Sequence, residues 1–240
     1  MQKLSNIHIS APSQRSVFVD VLRGIAIILM IIFHFAYDLT VFAYANYNTN
    51  TDLEWRIFRA LIVSCFLLAV GMSSYLAYAG GVNVRKLLLG FSKLLIVALL
   101  ISLSSYFMYP KHWVYFGIIH FIALALPFSI LFLGRPVLSV FIAVMMLVGY
   151  FCDWLSMQVI WQWSVVHLGI PKHTVDLVSF TPWFALVLLG TVVMHFKLVP
   201  ELSLNDVTRK IAFLGRHSLL IYVIHQPLLF AGFYLVEILK

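Results

Sequence analysis

Long apolar stretches recur along almost the whole chain, and they limit the fold more than any other feature of the sequence. A helix needs about 20 predominantly apolar residues to cross the hydrocarbon core of a bilayer. Seven stretches approach or reach this length, at 17–35, 57–77, 87–107, 114–133, 137–154, 182–196 and 214–239. Barrel strands would alternate apolar and polar residues, which these runs do not do. We therefore predict an all-α fold, a polytopic bundle of about seven transmembrane helices.

Composition and charge support a membrane protein and exclude other classes. Of the 240 residues, 62% are hydrophobic and only 10% are charged, whereas about a quarter are charged in soluble domains. Eleven of the 16 Lys and Arg residues fall on one side of the bundle if the N-terminus is cytoplasmic, as the positive-inside rule requires. Topology thus accounts for the net charge of +7, and we expect no nucleic-acid partner. The two cysteines, Cys65 and Cys152, have no metal-ligand spacing, so we expect no metal.

We expect two parts along the chain, a cytoplasmic tail at 1–16 and one transmembrane domain at 17–240. The transmembrane domain should carry an outer loop at about 155–181, which contains Trp161, Trp163, His167, His173 and Asp176. Two interpretations of this loop remain open. It is either an interfacial segment held by its tryptophans at headgroup level or a functional lid over a substrate.

The first apolar stretch, FVDVLRGIAIILMIIFHFAYD at 18–38, carries four ionisable residues. Arg23 and His34 are eleven positions apart, which on a helix is about 1100° of rotation and roughly 16 Å of rise, so they share one stripe. Asp20 precedes Arg23 by three positions and Asp38 follows His34 by four, so each has a neighbour one turn away. We therefore predict that this stripe faces the bundle interior, with Asp38 holding one nitrogen of His34.

Two later stretches carry the other polar residues at membrane depth. His120 lies in VYFGIIHF, while Ser218, Tyr222 and His225 occupy positions i, i+4 and i+7 of GRHSLLIYVIHQP, which is one helix face. Ionisable residues inside a membrane usually face a cavity or the bundle interior, so we predict that His34, His120 and His225 share a site. The alternative for each histidine alone is a structural hydrogen bond to a neighbouring helix.

Several motifs resemble those of the heparan-alpha-glucosaminide N-acetyltransferase catalytic-domain family of membrane proteins. They are DVLRGIAIILMIIFHFAYD, FLLAVGMSSYL, YFGIIHFIAL, TPWFALVLLG and LGRHSLLIYVIHQPLL, in order from the first stretch to the last. The spacing from Arg23 to His34 also resembles the motif of acyltransferase family 3, a group of membrane O-acyltransferases.

The resemblance implies transfer of an acetyl group from cytoplasmic acetyl-CoA to an amine or hydroxyl of a sugar on the other side of the membrane. Arg23 then corresponds to the arginine of the family motif and His34 to its proposed catalytic histidine. His34 would be the general base, oriented by Asp38, with His225 or His120 polarising or binding the substrate. The residues expected at acyl-CoA are Asp20, Arg23, Arg85, Lys86, Lys93 and Arg216, although topology alone would also place these basic residues on the inner side. The residues expected at the acceptor are Trp183, Ser218, Tyr222 and Gln226.

We accordingly predict an acyltransferase in a cell membrane, most simply the cytoplasmic membrane of a bacterium. Its partners would be the lipid bilayer and a saccharide or glycolipid acceptor, and a homodimer is left open. Two other functions are compatible with the same residues. One is a transporter or channel in which the histidines relay protons, although no internal repeat typical of transporters is evident. The other is a noncatalytic membrane protein of envelope assembly.

Overall fold

The computed structural model describes residues 15–108, 110–174 and 176–239, and in this part the chain is helical with no β-strand. The predicted all-α fold is confirmed. The helices are α1 (Val17–Val41), α2 (Leu53–Tyr78), α3 (Val84–Met108), α4 (Ile118–Ile130), α5 (Pro136–Phe151), α6 (Gln158–Leu168), α7 (Phe180–His195), α8 (Asp206–Arg216) and α9 (Ser218–Ile238). The predicted tail at 1–16 lies outside the described residues up to position 14.

Four helices, α1, α2, α3 and α9, are long and apolar enough to cross a membrane, while α4, α5 and α7 are apolar but shorter. These seven helices occupy the seven predicted stretches, and the number of complete crossings stays a prediction. In the most apolar 18-residue stretches of α3 and α9 only 6% of the residues are buried. Their exposed apolar side chains suit contact with lipid, because such a continuous apolar surface would be unstable in water. The molecule is a membrane protein.

All seven stretches differ from the helices at their boundaries, and the fourth and the last are not continuous helices in the structure. The fourth was expected from position 114, but α4 begins at Ile118 because Phe116 is extended and forms a parallel bridge with Leu177. The last was expected as one helix over 214–239. It is divided at His217, where φ is −102° and ψ is 16°, so that Arg216 ends α8 and Ser218 begins α9.

Glycines bring pairs of helices into backbone contact. A Cβ atom on Gly71 of α2 would collide with the carbonyl oxygen of Val187 on α7, and one on Gly190 of α7 with that of Leu68. Likewise, Gly24 of α1 faces the backbone of α8, and Gly215 of α8 faces the backbone of α1. Small residues at helix crossings are the usual means of tight packing in membranes. Lipid provides no hydrophobic driving force for helices to associate, so their association depends on close van der Waals contact.

The predicted outer loop contains α6 and, after it, a non-helical segment that is described at 169–174 and 176–179. Helix α6 has no buried residue, whereas the segment after it packs beside the start of α4. The N–H of Val178 donates to the carbonyl of Phe116 (3.2 Å), and the hydroxyl of Thr174 donates to the carbonyl of Trp113 (2.8 Å). The two halves of the loop therefore differ: α6 buries none of its residues, whereas the segment after it is hydrogen-bonded to the residues before α4.

Candidate functional site

A cavity of about 360 Å³ is lined by residues of α1, α2, α3, α4, α8 and α9. This volume is within the usual range of small-molecule sites, roughly 300–1,000 Å³. Its lining follows α2 from Phe66 to Tyr78, about 18 Å of helix. The polar residues of its wall are Arg23, Ser73, Ser74, Tyr78, Arg216, Ser218 and Tyr222. An elongated cavity with an apolar wall and basic residues suits a ligand that is anionic at one end and apolar along its length.

Arg23 is held in the cavity wall by neighbours on two helices. Its Nη1 lies 3.8 Å from Oδ1 of Asp20, as the spacing of three positions predicts, and Nη2 donates to Oγ of Ser73 on α2. Ser73 in turn donates to the carbonyl of Ala69 (2.5 Å). Asp20 is buried and also pairs with Nε of Arg15 at 2.7 Å. One buried carboxylate thus pairs with two guanidinium groups at this end of α1.

His34 of α1 and His225 of α9 meet, with ring centroids 4.8 Å apart. Nδ1 of His225 lies 2.7 Å from the carbonyl oxygen of Tyr222. Because a carbonyl can only accept, Nδ1 of His225 carries a proton, and a neutral ring then leaves a lone pair on Nε2. That Nε2 is buried and has no hydrogen-bond partner among the described residues. The pair therefore presents a histidine nitrogen that is able to accept a proton.

Asp38 bonds to α9 and not to His34. Its Oδ1 accepts from Nε2 of Gln226 at 2.8 Å, although the two residues are 188 positions apart. The carboxylate is fully buried, and its Oδ2 and the Oε1 of Gln226 have no partner among the described residues. We expected Asp38 to hold His34 directly, but it bonds instead to Gln226, the residue that follows His225. A buried polar atom without a partner is costly, so these acceptors suit a ligand that donates hydrogen bonds.

His120 stands apart from this pair, and both of its ring nitrogens are engaged. Nδ1 accepts from the N–H of Gly117 (3.2 Å), so Nε2 carries the proton and donates to Oγ of Ser102 (2.9 Å). The hydroxyl of Ser102 donates in turn to the carbonyl of Val114 (2.7 Å). This closed chain ties α3 to the start of α4, which is the structural role that we weighed as the alternative for a single histidine. The structure does not bring His120 to the histidine pair.

The predicted basic residues of α3 lie outside the cavity. Arg85, Lys86 and Lys93 are all exposed. Lys86 alone approaches the cavity wall, because its Nζ lies 5.5 Å from the ring centroid of Tyr78. Of the six residues expected at acyl-CoA, only Arg23 and Arg216 line the cavity directly, and Asp20 supports Arg23.

The four residues expected at the acceptor have different surroundings. Ser218 and Tyr222 line the cavity, and Gln226 bonds to Asp38. Trp183 packs against the apolar core and does not line the cavity. Tyr222 is central, because its ring lies 5.6 Å from that of His225 while its side chain also forms part of the cavity wall. It connects the cavity with the histidine pair.

Sequence reasoning assigned no role to Ser73, Ser74 or Asp176. The adjacent serines in GMSSY interrupt an apolar run, and that signal could have marked them. Asp176 was noted only as part of the outer loop, and no local pattern connects it with Ile118, whose N–H donates to its Oδ2 at 3.0 Å. No group of three or more His, Cys, Asp or Glu residues with metal-binding geometry is found in the described part of the chain.

Comparison with known proteins identifies the family. The family model described as "Heparan-alpha-glucosaminide N-acetyltransferase, catalytic" matches residues 15–227, which include the cavity wall, the histidine pair and Gln226. Searches of curated proteins and of solved structures gave no match. Because the match extends over most of the chain, this protein belongs to the heparan-alpha-glucosaminide N-acetyltransferase catalytic-domain family, whose members are acetyltransferases.

Proposed function

We propose that this protein transfers an acetyl group from acetyl-CoA on the cytoplasmic side to an amine or hydroxyl of a saccharide or glycolipid on the outer side. The proposed location is a bacterial cytoplasmic membrane with the N-terminus inside. The observation that carries the proposal is the position of Tyr222, which lines the cavity and also contacts His225 of the histidine pair. A donor in the cavity and an acceptor at the histidines would meet there.

The donor half of the site is the cavity. Arg23 and Arg216 supply positive charge toward the anionic part of acetyl-CoA, and a guanidinium group can bind a phosphate with two parallel hydrogen bonds. The apolar lining along α2 suits the elongated arm that carries the thioester. The positive-inside distribution of Lys and Arg supports entry from the cytoplasm.

The acceptor half is the cluster of His34, Asp38, His225 and Gln226 between α1 and α9. Nε2 of His225, Oδ2 of Asp38 and Oε1 of Gln226 are buried acceptors without partners among the described residues. Amines and hydroxyls donate hydrogen bonds, so an acyl acceptor of this chemistry would satisfy them. The same atoms would favour attack by the acceptor oxygen or nitrogen, because they draw its proton away.

The transfer itself follows general-base chemistry. The acceptor oxygen or nitrogen attacks the thioester carbonyl, forming a C–O or C–N bond while the C–S bond breaks. The proton of the acceptor moves to a histidine and then to the departing CoA thiolate, which leaves as the thiol. We assign the base to His34, and His225 beside it is the binding or polarising partner. Asp38 supports the pair indirectly, through its hydrogen bond with Gln226 on α9.

The proposal is tested with purified protein in nanodiscs supplied with acetyl-CoA labelled in the acetyl group. Label should move to a soluble amino sugar or a glycolipid, and one free thiol should appear for each acetyl group transferred. Nanodiscs carrying the double variant His34→Ala/His225→Ala provide the control. Absence of both transfer and thiol release over a panel of amine and hydroxyl acceptors would contradict the proposal, and proton flux in proteoliposomes would then favour the transporter.

A further inference from the structure

Asp38 and Gln226 bond to each other, and each still keeps one oxygen without a partner. Oδ1 of Asp38 accepts from Nε2 of Gln226 at 2.8 Å. Oδ2 of Asp38 and Oε1 of Gln226 are buried and have no hydrogen-bond partner within the described part of the chain. Asp38 is fully buried, and it forms no ion pair with a described residue. Because an unpaired buried acceptor is costly, these two oxygens are suited to a ligand that donates hydrogen bonds.

The two oxygens belong to residues that adjoin the histidine pair. Asp38 follows His34 by four positions, which is about one turn and roughly 6 Å of rise along α1. Gln226 directly follows His225, which is about 1.5 Å of rise along α9. The contact between the histidines and the bond between Asp38 and Gln226 thus join the same two helices at neighbouring levels. One small molecule can therefore reach the histidine pair and the two oxygens together.

The free acceptors at this place outnumber the protons that one reacting group can supply. They are Nε2 of His225, Oδ2 of Asp38 and Oε1 of Gln226. A hydroxyl has one proton to donate and a neutral primary amine has two. In the proposed transfer one proton goes to a histidine, so a hydroxyl keeps none for the two oxygens and an amine keeps one. The site therefore matches an acceptor that carries further hydroxyl or amine groups beside the one that reacts.

We propose that Asp38 and Gln226 are specificity-determining residues, which bind a second hydroxyl or amine of the acceptor while the histidine pair acts on the group that reacts. This inference rests on the proposed function and adds the chemical feature by which the site selects its acceptor. A hydrogen bond to the carboxylate of Asp38 is charge-assisted and roughly twice as strong as a neutral one. A simple alcohol or amine leaves buried oxygens unpaired, and a site built to bond a second group discriminates against such a molecule.

The test compares acceptors that have the same reacting group and ring size. Glucosamine and cyclohexylamine each present a primary amine on a six-membered ring, and only glucosamine carries further hydroxyls. Myo-inositol and cyclohexanol form the corresponding pair for transfer to a hydroxyl. Label from acetyl-CoA, measured with the protein in nanodiscs, gives kcat/KM for each acceptor, with amine concentrations expressed as the neutral form. One hydrogen bond to a charged group corresponds to about 10- to 100-fold, so the wild type should prefer the polyhydroxylated member of the reacting pair by at least about tenfold.

Two variants remove the free oxygens in different ways. Asp38→Asn keeps an oxygen for Gln226 but loses the charge, and the preference should fall at least about threefold. Asp38→Leu/Gln226→Met removes both polar groups together, which leaves neither partner buried alone and can be nearly neutral for folding. Here the preference should fall below about threefold, because only the polyhydroxylated acceptor has a second bond to lose. Glu54→Gln, a change of charge at an exposed acid in the first turn of α2, is the matched control and should keep the wild-type preference.

The ratio of the two acceptors separates specificity from structural support. A purely structural role would lower kcat/KM for both members of a pair by the same factor, and that result would overturn the inference. A wild type without preference, or a preference that persists in the double variant, would also overturn it while the proposed function stands. Absence of transfer to all four acceptors and of thiol release would refute the proposed function and this inference with it. Equilibrium binding of acetyl-CoA confirms that each variant is folded, because neither Asp38 nor Gln226 lines the cavity.

Discussion

The ring of His34 lies against that of His225, and this contact makes the histidines the most informative residues to change. A positioned general base typically contributes about 10²- to 10⁴-fold to a rate. We expect His34→Ala to lower acyl transfer by that order while acetyl-CoA still binds, because the cavity wall does not include His34. Turnover in nanodiscs and equilibrium binding of acetyl-CoA check the two parts separately.

The control for this change is His167→Ala, since His167 is exposed on α6 and should leave the rate unaltered. Asp38→Asn should cost less than His34→Ala, because the side-chain oxygen can still accept from Gln226. If His34→Ala transfers at nearly the wild-type rate while His225→Ala does not, then the base is His225, whose Nε2 lone pair is already defined by the contact of Nδ1.

Arg23 is the second residue whose chemistry can be isolated. Arg23→Lys keeps the charge but loses the planar fork that reaches Asp20 and Ser73 together, and lysine cannot replace such a geometry. A hydrogen bond to a charged group is worth roughly 1.5–3 kcal/mol, so we expect KM for acetyl-CoA to rise about tenfold or more.

Arg209→Lys is the matched control for Arg23→Lys, because Arg209 pairs with an acid three positions before it at the same 3.8 Å, but its side chain is 67% exposed against 27% for Arg23. It should leave KM unchanged. Equal KM values for the two variants would mean that Arg23 serves topology and not donor binding. Initial rates over a series of acetyl-CoA concentrations provide the comparison.

At the scale of helices, the crossing of α2 and α7 depends on glycine. A methyl group on Gly71 would meet the carbonyl of Val187, which belongs to a helix backbone and cannot move aside. Overpacking of this kind typically costs about 1–3 kcal/mol, so Gly71→Ala should lower the free energy of unfolding by that amount. Titration with SDS in mixed micelles measures it.

Gly232→Ala in α9 is the matched control, since a Cβ atom there has no neighbour within 4 Å. It should be neutral or stabilising by about 0.5–1 kcal/mol, because alanine loses less backbone entropy than glycine in a helix. A Gly71→Ala protein as stable as Gly232→Ala would show that the two helices are not held at backbone contact.

For the whole molecule, the distribution of charge predicts the side from which the donor enters. Arg23 and Arg216 line the cavity near the start of α1 and the junction of α8 and α9, which the predicted topology places on the side with most Lys and Arg residues. We expect sealed inside-out vesicles to accept acetyl-CoA from the medium and right-side-out vesicles to accept it only after permeabilisation.

Thiol release from added acetyl-CoA, measured in both vesicle preparations, checks this expectation. An N-terminal epitope tag reports the orientation of each preparation through its accessibility to protease. Donor use confined to right-side-out vesicles would reverse the proposed sidedness while leaving the acyl transfer itself intact.

The sequence by itself determined the features that depend on local geometry. Apolar runs predicted where the helices lie, because a polar backbone in lipid must bond within its own segment. The spacing of Asp20 and Arg23 predicted their contact, because residues three positions apart are neighbours on any α-helix. The face shared by Ser218 and Tyr222 follows from the same regularity, and both residues line the cavity.

Tertiary structure decided the contacts between distant parts of the chain. Asp38 had a local partner available in His34, yet it bonds Gln226, which lies 188 positions away. His120 was expected beside His34 and instead bonds Ser102 and Gly117, and Asp176 reaches Ile118 across 58 positions. Helix periodicity predicts which residues share one face of a helix. It does not predict which face of another helix packs against that face. That choice depends on how the helices pack, here at glycines where two backbones touch, and no spacing within one helix encodes it.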